Sequence, residues 1–265
     1  MTNPKPSRTR WKIALGVVVL FAAVGWLVAW PAYQQHRAVE EIERVGGTVE
    51  RETDGTQRLR QWYLEFDRIT EVHLEDAGIT DDGLRHLSHL TNLQELTLGG
   101  TNVSDDGLQH LSSLFHLQVL SLDDTHVSDA GLAHLSRLKN LEYIYLHNTR
   151  ITSDGLKHLV DLKNLEGLTL NGTTISDDGL EHLSGLTSLQ YLYLDGTHVS
   201  DDGLKCLNSL TSLQHLSLGG TDVSDEGLKH LSGMPGLKRL TIINTQVTGH
   251  GVKRLWDVLP NCYVR

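Results

Sequence analysis

Cysteine, aromatic residues and catalytic motifs are all scarce in this chain of 265 residues. Its two cysteines, Cys206 and Cys262, are too few for a disulfide framework. There is no Gly-x-Ser-x-Gly elbow, no phosphate-binding loop and no zinc-protease helix, and no pattern places a nucleophile beside a base. The sequence therefore predicts neither enzymatic activity nor a cofactor. A composition that is 39% hydrophobic and 6% aromatic suits one folded domain with an appendage.

Positive charge is also scarce, except at the N-terminus. The formal net charge is −10. Lys5, Arg8, Arg10 and Lys12 contribute +4 within the first twelve residues, which leaves −14 on the remainder of the chain. Because phosphate binding needs clustered lysine and arginine, this acidic body excludes nucleic acid as the expected partner.

A long apolar run follows the basic residues, from Ile13 to Trp30, and it contains no charge. Its 18 residues are close to the roughly 20 that a bilayer-spanning helix requires. By the positive-inside rule, residues 1–12 form a cytoplasmic tail, 13–31 a transmembrane signal-anchor, and the remainder lies outside the cytoplasm, in the periplasm or at the cell surface. A cleaved signal peptide with its cleavage site near Ala23-Val24-Gly25 is the alternative, and it also exports the body.

A unit of 24 residues then repeats eight times without insertion. Glycine, usually followed by leucine, marks every unit: Gly83, Gly107, Gly131, Gly155, Gly179, Gly203, Gly227 and Gly251. Each unit also carries a form of the spacing L-x-x-L-x-L-x-x-T, as from Leu93 to Thr101, with isoleucine or valine at some leucine positions and Ala77 in place of threonine in the first repeat. Such a fixed period is typical of a solenoid. Its repeats are expected over 69–258, after a linker and cap over 32–68 and before a closing strand over 259–265.

Each unit predicts one strand and one short helix, and so an α/β fold. Alternating apolar residues in Leu93–Leu98 indicate a strand with one buried face. The Ser or Thr at 80, 104 and every 24 residues onward is expected to cap the following helix with its hydroxyl, and the aspartate after it to face the positive helix end. Leucines three residues apart supply the helix's buried face. We therefore expect a parallel sheet on the concave side and short helices on the convex side.

The motif T-x-V/I-S/T-D-x-G-L-x-x-L resembles that of bacterial leucine-rich repeat proteins with 24-residue units, and it is also similar to the repeat half of F-box leucine-rich repeat proteins. The likeness covers Ile69 to Arg265. Residues 38–55 look like the bacterial group's lead-in, a short helix and a hairpin, and Leu259–Val264 looks like its closing strand. Nothing before Ala38 resembles an F-box, which argues against a ubiquitin-ligase receptor. The resemblance implies a leucine-rich repeat solenoid that acts as a binding scaffold.

Two polar columns suggest metal binding, but each has a simpler explanation. Histidine recurs in the motif GLxHL at 86, 110, 134, 158, 182 and 230, with Cys206 in the same column. Neighbouring repeats place these imidazoles too far apart for two of them to share an ion at about 2.1 Å. The aspartate pairs that begin at Asp81 could attract Ca²⁺, but charge at a helix start explains them without an ion. No metal site is predicted.

The outward positions of the strands give a candidate binding site. Tyr143, Tyr145, Tyr191 and Tyr193 would form two pairs that flank Gly167 and Thr169 on the strand between them. With strands about 4.8 Å apart, the pairs would stand roughly 10 Å from each other over a floor with almost no side chain. Asp123, His147, Asn171 and Asp195 would form the edge of this slot. Tyrosine also favours half-exposed strand positions for reasons unrelated to binding.

Together these patterns predict an exported, membrane-anchored solenoid that binds a protein or peptide on its concave face. Exposed tyrosine is enriched in binding surfaces, and solenoids use their concave side for ligands. A structural envelope spacer without a ligand is the alternative. Carbohydrate binding is a third possibility, since tyrosine rings also stack on sugars.

Overall fold

The computed structural model describes residue 26 and residues 30–51 and 69–265. The predicted tail over 1–12, nearly all of the predicted transmembrane segment over 13–31, and residues 52–68 of the predicted cap lie outside these residues. No helix in the described part of the chain is both long enough and apolar enough to cross a bilayer.

The described chain begins with a capping unit. Helix α1 covers residues 30–44 and buries Ala38, Val39 and Ile42 against the first repeat. Strand β1, Thr48–Arg51, then pairs antiparallel with β2, Ile69–His73. Helix and strand together cover the apolar side chains at this end of the stack, where no preceding repeat can cover them.

Strands β1 to β10 form one sheet in sequence order, and every pair from β2 onward is parallel. The register advances by 24 residues per strand, so Leu120 lies beside Leu96 on one side and Ile144 on the other. The predicted parallel sheet is confirmed, and Val264 pairs with Leu240 as the closing strand. After β2 the strands are β3 Glu95–Thr97, β4 Val119–Ser121, β5 Tyr143–Tyr145, β6 Gly167–Thr169, β7 Tyr191–Tyr193, β8 His215–Ser217, β9 Arg239–Thr241 and β10 Tyr263–Val264.

Short helices return the chain between strands. The α-helices are α2 Asp81–Leu87, α3 Asp105–Leu108, α4 Asp129–Leu135, α5 Asp177–Leu180, α6 Asp225–Leu228 and α7 Gly249–Val258. Tighter 3₁₀ turns extend three of them, over Gln109–Leu111, Glu181–Leu183 and Lys229–Gly233, and replace the α-helix over Ser153–His158 and Gly203–Ser209. The core lies between these segments and the sheet. Leu168 and Leu170 are 1% and 0% exposed, which agrees with the predicted leucine columns.

Each strand ends in a turn of the same geometry. One residue per repeat has a positive φ, and the eight positions follow one another at intervals of 24 residues: Asp76, Gly100, Asp124, Asn148, Gly172, Gly196, Gly220 and Asn244. Glycine, asparagine and aspartate are the residues that adopt this conformation most readily. In every repeat but the first, where Ala77 follows Asp76, a threonine follows and closes the turn with its hydroxyl, as when Thr173 donates to the Leu170 carbonyl at 2.6 Å. This bond satisfies a hydroxyl that the fold buries.

The predicted helix capping is wrong for most repeats. The hydroxyl accepts a backbone N–H two residues ahead in only three of the described repeats, at Ser200, Ser224 and Thr248. The bond that recurs connects neighbouring repeats. Ser128, for example, donates its N–H and its hydroxyl to the two carboxylate oxygens of Asp105, at 2.7 and 2.5 Å. A hydroxyl gains more from a carboxylate within reach than from a neutral group, because hydrogen bonds to an ionised acceptor are stronger.

This aspartate ladder recurs through the stack. The acceptors are Asp81, Asp105, Asp129, Asp177, Asp201 and Asp225, and the donors lie 23 residues later in each case. Ser153 interrupts the column, and its hydroxyl takes the place of the carboxylate. The ladder also explains the glycine column. A Cβ at Gly131 would lie 2.5 Å from Asp105 Oδ1 and 3.0 Å from Leu108 Cδ1, so the close approach of neighbouring repeats excludes a side chain.

Candidate ligand-binding face

Three adjacent strands bring the four predicted tyrosines together on the outward side of the sheet. Tyr143 and Tyr191 pair with Gly167 from opposite sides, and Tyr145 and Tyr193 pair with Thr169 in the same way. Strand alternation sets their direction, because Ile144, Leu168 and Leu192 between them point into the core.

A cavity of about 440 Å³ opens on this face. Its walls include seven of the ten predicted site residues: Tyr143, Tyr145, Gly167, Thr169, Asn171, Tyr191 and Tyr193. Leu168 completes the lining, as an inward residue that the outward pattern did not include. Asp123, His147 and Asp195 are not part of the wall.

The cavity is narrower at one end than the predicted slot. The rings of Tyr143 and Tyr191 lie 6.5 Å apart between centroids, with 40° between their planes. Gly167 is buried beneath them, and a Cβ there would come within 2.5 Å of Tyr143 Cδ1. The expected spacing of roughly 10 Å counted strands alone, whereas the rings lean over the side-chain-free glycine and cover its surface. The open end of the cavity is therefore over Thr169, which is half-buried between Tyr145 and Tyr193.

A hydrogen bond fixes Tyr143 in its leaning position. Its hydroxyl donates to Glu166 Oε2 at 3.1 Å. Burial and then the adjacent carboxylate raise the pKa of Tyr143 to about 12, because both disfavour the phenolate. Burial, followed by the charges of Glu95 and Asp123, also raises the pKa of Tyr145. Sequence reasoning missed Glu166, which precedes the outward strand positions.

The polar residues at the predicted edge mostly connect neighbouring strand ends. Asp123 Oδ1 accepts the His147 N–H at 2.6 Å, and Asn171 Oδ1 accepts the Asp195 N–H at 2.8 Å. Asp195 Oδ1 in turn accepts the Ser217 hydroxyl and the Gly219 N–H, both at 2.6 Å. Burial raises the pKa of Asp123 despite the bond from His147. Of these residues, Asn171 alone lines the cavity, and the others position the loops beside it.

The aromatic surface continues toward the C-terminal end of the sheet. The Tyr191 and His215 rings are 4.8 Å apart between centroids, and the Arg239 guanidinium carbon lies 5.9 Å from the centre of the Tyr263 ring. Burial, and then the charges of Arg239 and Lys238, lower the pKa of His215, which favours its neutral form. These residues occupy the same outward row as Tyr143, so strand alternation alone could have added them to the candidate face.

The histidine and aspartate columns are separate from the tyrosine cavity. The histidine column lies on the short helices at half-exposed or exposed positions. Elsewhere, Glu50, Glu71 and His73 place potential ligand atoms within 4.8 Å of one another on the first two strands. His73 Nε2 already lies 3.6 Å from Glu71 Oε2, and all three side chains face solvent at least in part. A weak histidine–glutamate pair accounts for this group.

Comparison with known proteins identifies the fold as a leucine-rich repeat. The family profile described as "Leucine-rich repeat region" matches residues 102–262, more than half of the chain, and the profile described as "Leucine Rich repeat" matches residues 89–112. The structure of an internalin C2 from Listeria monocytogenes aligns with a TM-score of 0.64 at 24% identity, over 86% of this chain and 92% of that one.

A second solved structure is described as a plant peptide hormone receptor, RGFR1, in complex with RGF2. It aligns with a TM-score of 0.50 at 16% identity, over 68% of this chain and 29% of the receptor. No curated protein matches the sequence. At these identities the two structures establish a shared fold, and the family profiles establish the repeat.

Proposed function

Because this chain belongs to the leucine-rich repeat family, we propose that its concave sheet binds a protein or peptide partner, with the tyrosine cavity at the centre of the contact. Leucine-rich repeat proteins are typically binding scaffolds without enzymatic activity. The plant receptor with a similar fold was solved with the partner RGF2, which supports a peptide-binding role by analogy.

The observation that carries this proposal is the position of the tyrosines. Four of the seven in the chain surround one cavity, on a face where the leucine core does not dictate the residue type. Tyrosine presents a large, rigid surface at little entropic cost, and it is concentrated at the energetic centres of interfaces. A cavity of about 440 Å³ is large enough for one or two side chains of a partner.

We also propose that the protein is exported and anchored by residues 13–31, and that it belongs with the bacterial 24-residue repeat type. The basic N-terminus and the apolar run support anchoring. The first described residues add support, because the Trp26 and Trp30 rings stack at 4.8 Å, and Tyr33 follows at 5.9 Å from Trp30. All three are exposed, as aromatic residues at a membrane interface would be in the absence of lipid.

The binding proposal is tested by filling the open end of the cavity. Thr169→Trp should block a partner sterically and leave the core intact, since residue 169 points outward. Thr187→Trp is the matched control, because Thr187 is exposed outside the concave sheet. Partners are recovered by cross-linking on intact cells and identified by mass spectrometry. We expect a species that is lost with Thr169→Trp and retained with Thr187→Trp, while circular dichroism shows both variants folded.

Equal recovery with both variants would remove the cavity from the binding site and favour the structural spacer. Gly167→Trp is the less informative change, since the Tyr143 ring already occupies the space above residue 167.

Export is tested with C-terminal fusions to two reporters, one active only in the cytoplasm and one active only outside it. We expect activity from the second alone. Activity of the cytoplasmic reporter would contradict export and leave the binding proposal untouched.

A further inference from the structure

We propose that the partner is an extended peptide segment of about nine residues with a cationic side chain at one end and a carboxylate at the other, which lies across the strands from β3 to β9. This inference rests on the proposed function and specifies its ligand. It follows from how charge is distributed along the concave face.

Outward glutamates lie at one end of the sheet and an outward arginine lies at the other. The two outward aspartates between them, Asp123 and Asp195, accept hydrogen bonds from neighbouring strand ends. Glu71, Glu75 and Glu95 occupy outward positions on the first two repeats, and Arg239 occupies one on β9. No lysine or arginine stands at an outward position of β2 through β8. The tyrosine cavity lies between the two charged ends.

These outward charges are not neutralised by ion pairs with other described residues. Within the described residues, Glu95 and Arg239 have no ion pair, and the ion pair of Glu71 is the weak one with His73 at 3.6 Å. The convex side differs, because Lys205 pairs there with Asp202, and Lys229 pairs with Glu226. Arg239 instead lies over the Tyr263 ring, which leaves its donors available to a carboxylate. Complementary charges on a partner would fix its register and exclude competitors.

The spacing sets the length and the class of the ligand. The cavity is on β6, three strands from Glu95 on β3 and three strands from Arg239 on β9. At about 4.8 Å per strand, each charge lies roughly 14 Å from the cavity, which about four extended residues span at ~3.3 Å each. Opposite charges roughly 29 Å apart are too distant for a monosaccharide or another small molecule. An extended peptide fits, with an apolar side chain in the cavity and one charge near each end.

A library of random twelve-residue peptides displayed on phage tests the proposal without knowledge of the natural partner. The full chain in detergent micelles is used as bait, in parallel with Arg239→Glu, Lys253→Glu and Thr169→Trp. Lys253 is exposed on α7, so its reversal changes net charge as Arg239→Glu does, but away from the concave face.

We expect the wild type to enrich peptides with a cation and a carboxylate about eight positions apart and an apolar residue between them. Arg239→Glu should replace the enriched carboxylate with a second cation, and Lys253→Glu should leave the wild-type pattern unchanged. A synthetic copy of an enriched peptide should bind Arg239→Glu roughly tenfold more weakly than it binds the wild type at low salt. This difference should shrink as salt rises, because salt screens both the attraction to Arg239 and the repulsion from the new glutamate.

The inference fails if no peptide is enriched, if the enriched peptides lack separated opposite charges, or if Arg239→Glu selects the wild-type pattern. Thr169→Trp separates this failure from failure of the proposed function. If that variant abolishes enrichment while charge reversal has no effect, the concave cavity stands as the binding site and only the charge pattern is wrong. If it leaves enrichment unchanged, the cavity is not the site.

Discussion

Inward and outward side chains of the same short strands differ in how closely they repeat. The inward positions are leucine, isoleucine or valine in every repeat, and those columns are buried through nearly the whole stack. The outward positions change from glutamate through tyrosine to arginine along the same sheet. A repeated contact with identical neighbours selects one residue at each inward position, whereas solvent or a partner allows each outward position to differ. Chemistry specific to this protein is therefore found on the outward side.

A similar contrast separates the two polar systems. The aspartate ladder repeats with almost constant geometry, because each carboxylate contacts the next copy of the same unit. The residues beside the tyrosine cavity bind in different ways, as Asp123, Asn171 and Asp195 show. Both groups are polar, so polarity does not distinguish them. The aspartates that stabilise the stack have the same neighbours in each repeat, whereas the residues around the cavity have different ones.

The largest expected loss of stability comes from a substitution at Leu170, an inward residue directly after β6. Leu170→Ala should lower the free energy of unfolding by about 2–5 kcal/mol, because it removes buried methyl groups and leaves a cavity in mid-stack. Its neighbour Thr169→Ala, on the outward side, should cost far less. Urea denaturation followed by circular dichroism measures both. Equal stability of wild type and Leu170→Ala would contradict the register.

The glycine column should show the next largest effect. Gly131→Ala brings a methyl group against Asp105 and Leu108 and should cost about 1–3 kcal/mol through overpacking. Gly249→Ala is the control, since no atom lies within 4 Å of its added Cβ. That change should leave the protein unaltered or stabilise it by about 0.4–1 kcal/mol. Thermal melting of the two variants compares them, and equal shifts would refute close repeat packing as the cause of the column.

A smaller effect is expected from the aspartate ladder. Asp129→Ala removes the acceptors of the Thr152 N–H and hydroxyl, at 2.8 and 2.6 Å. It should cost about 1 kcal/mol, since both residues are half-buried and water can replace part of the loss. The repeat that has Ser153 in place of the aspartate allows the opposite substitution. Ser153→Asp should stabilise the protein by a similar amount. Destabilisation by Ser153→Asp would show that the ladder does not transfer between repeats.

The smallest effect should appear on the outward side, as a change in titration. Tyr143 has its pKa raised to about 12, so ultraviolet absorbance should show a tyrosine that ionises well above the ordinary value near 10, and Tyr143→Phe should remove it. Because the folded-state pKa is the higher one, the stability linked to this proton is full below pH 10 and declines as pH rises toward 12. A titration unaltered by Tyr143→Phe would place the high-pKa group elsewhere.

Much of the fold was predictable, because burial imposes a regular pattern on the sequence. The leucine spacing predicted the strands and the parallel register, and the outward pattern brought together seven residues that line one cavity. The capping prediction failed because it considered Ser104 within its own repeat, whereas Asp81 of the preceding repeat lies within hydrogen-bonding distance. The predicted distance between the tyrosine pairs was too large for a related reason, since strand spacing does not determine the direction in which a ring leans.

The sequence by itself determined the 24-residue period, the buried columns and the face on which the tyrosines lie. These follow from local periodicity, which any stacked arrangement must respect. Only the tertiary structure decided that the recurring aspartates bind the next repeat, that the Tyr143 ring covers Gly167, and that Glu166 holds it there. Those contacts depend on distances between residues 23 or 24 positions apart, and stacking sets those distances.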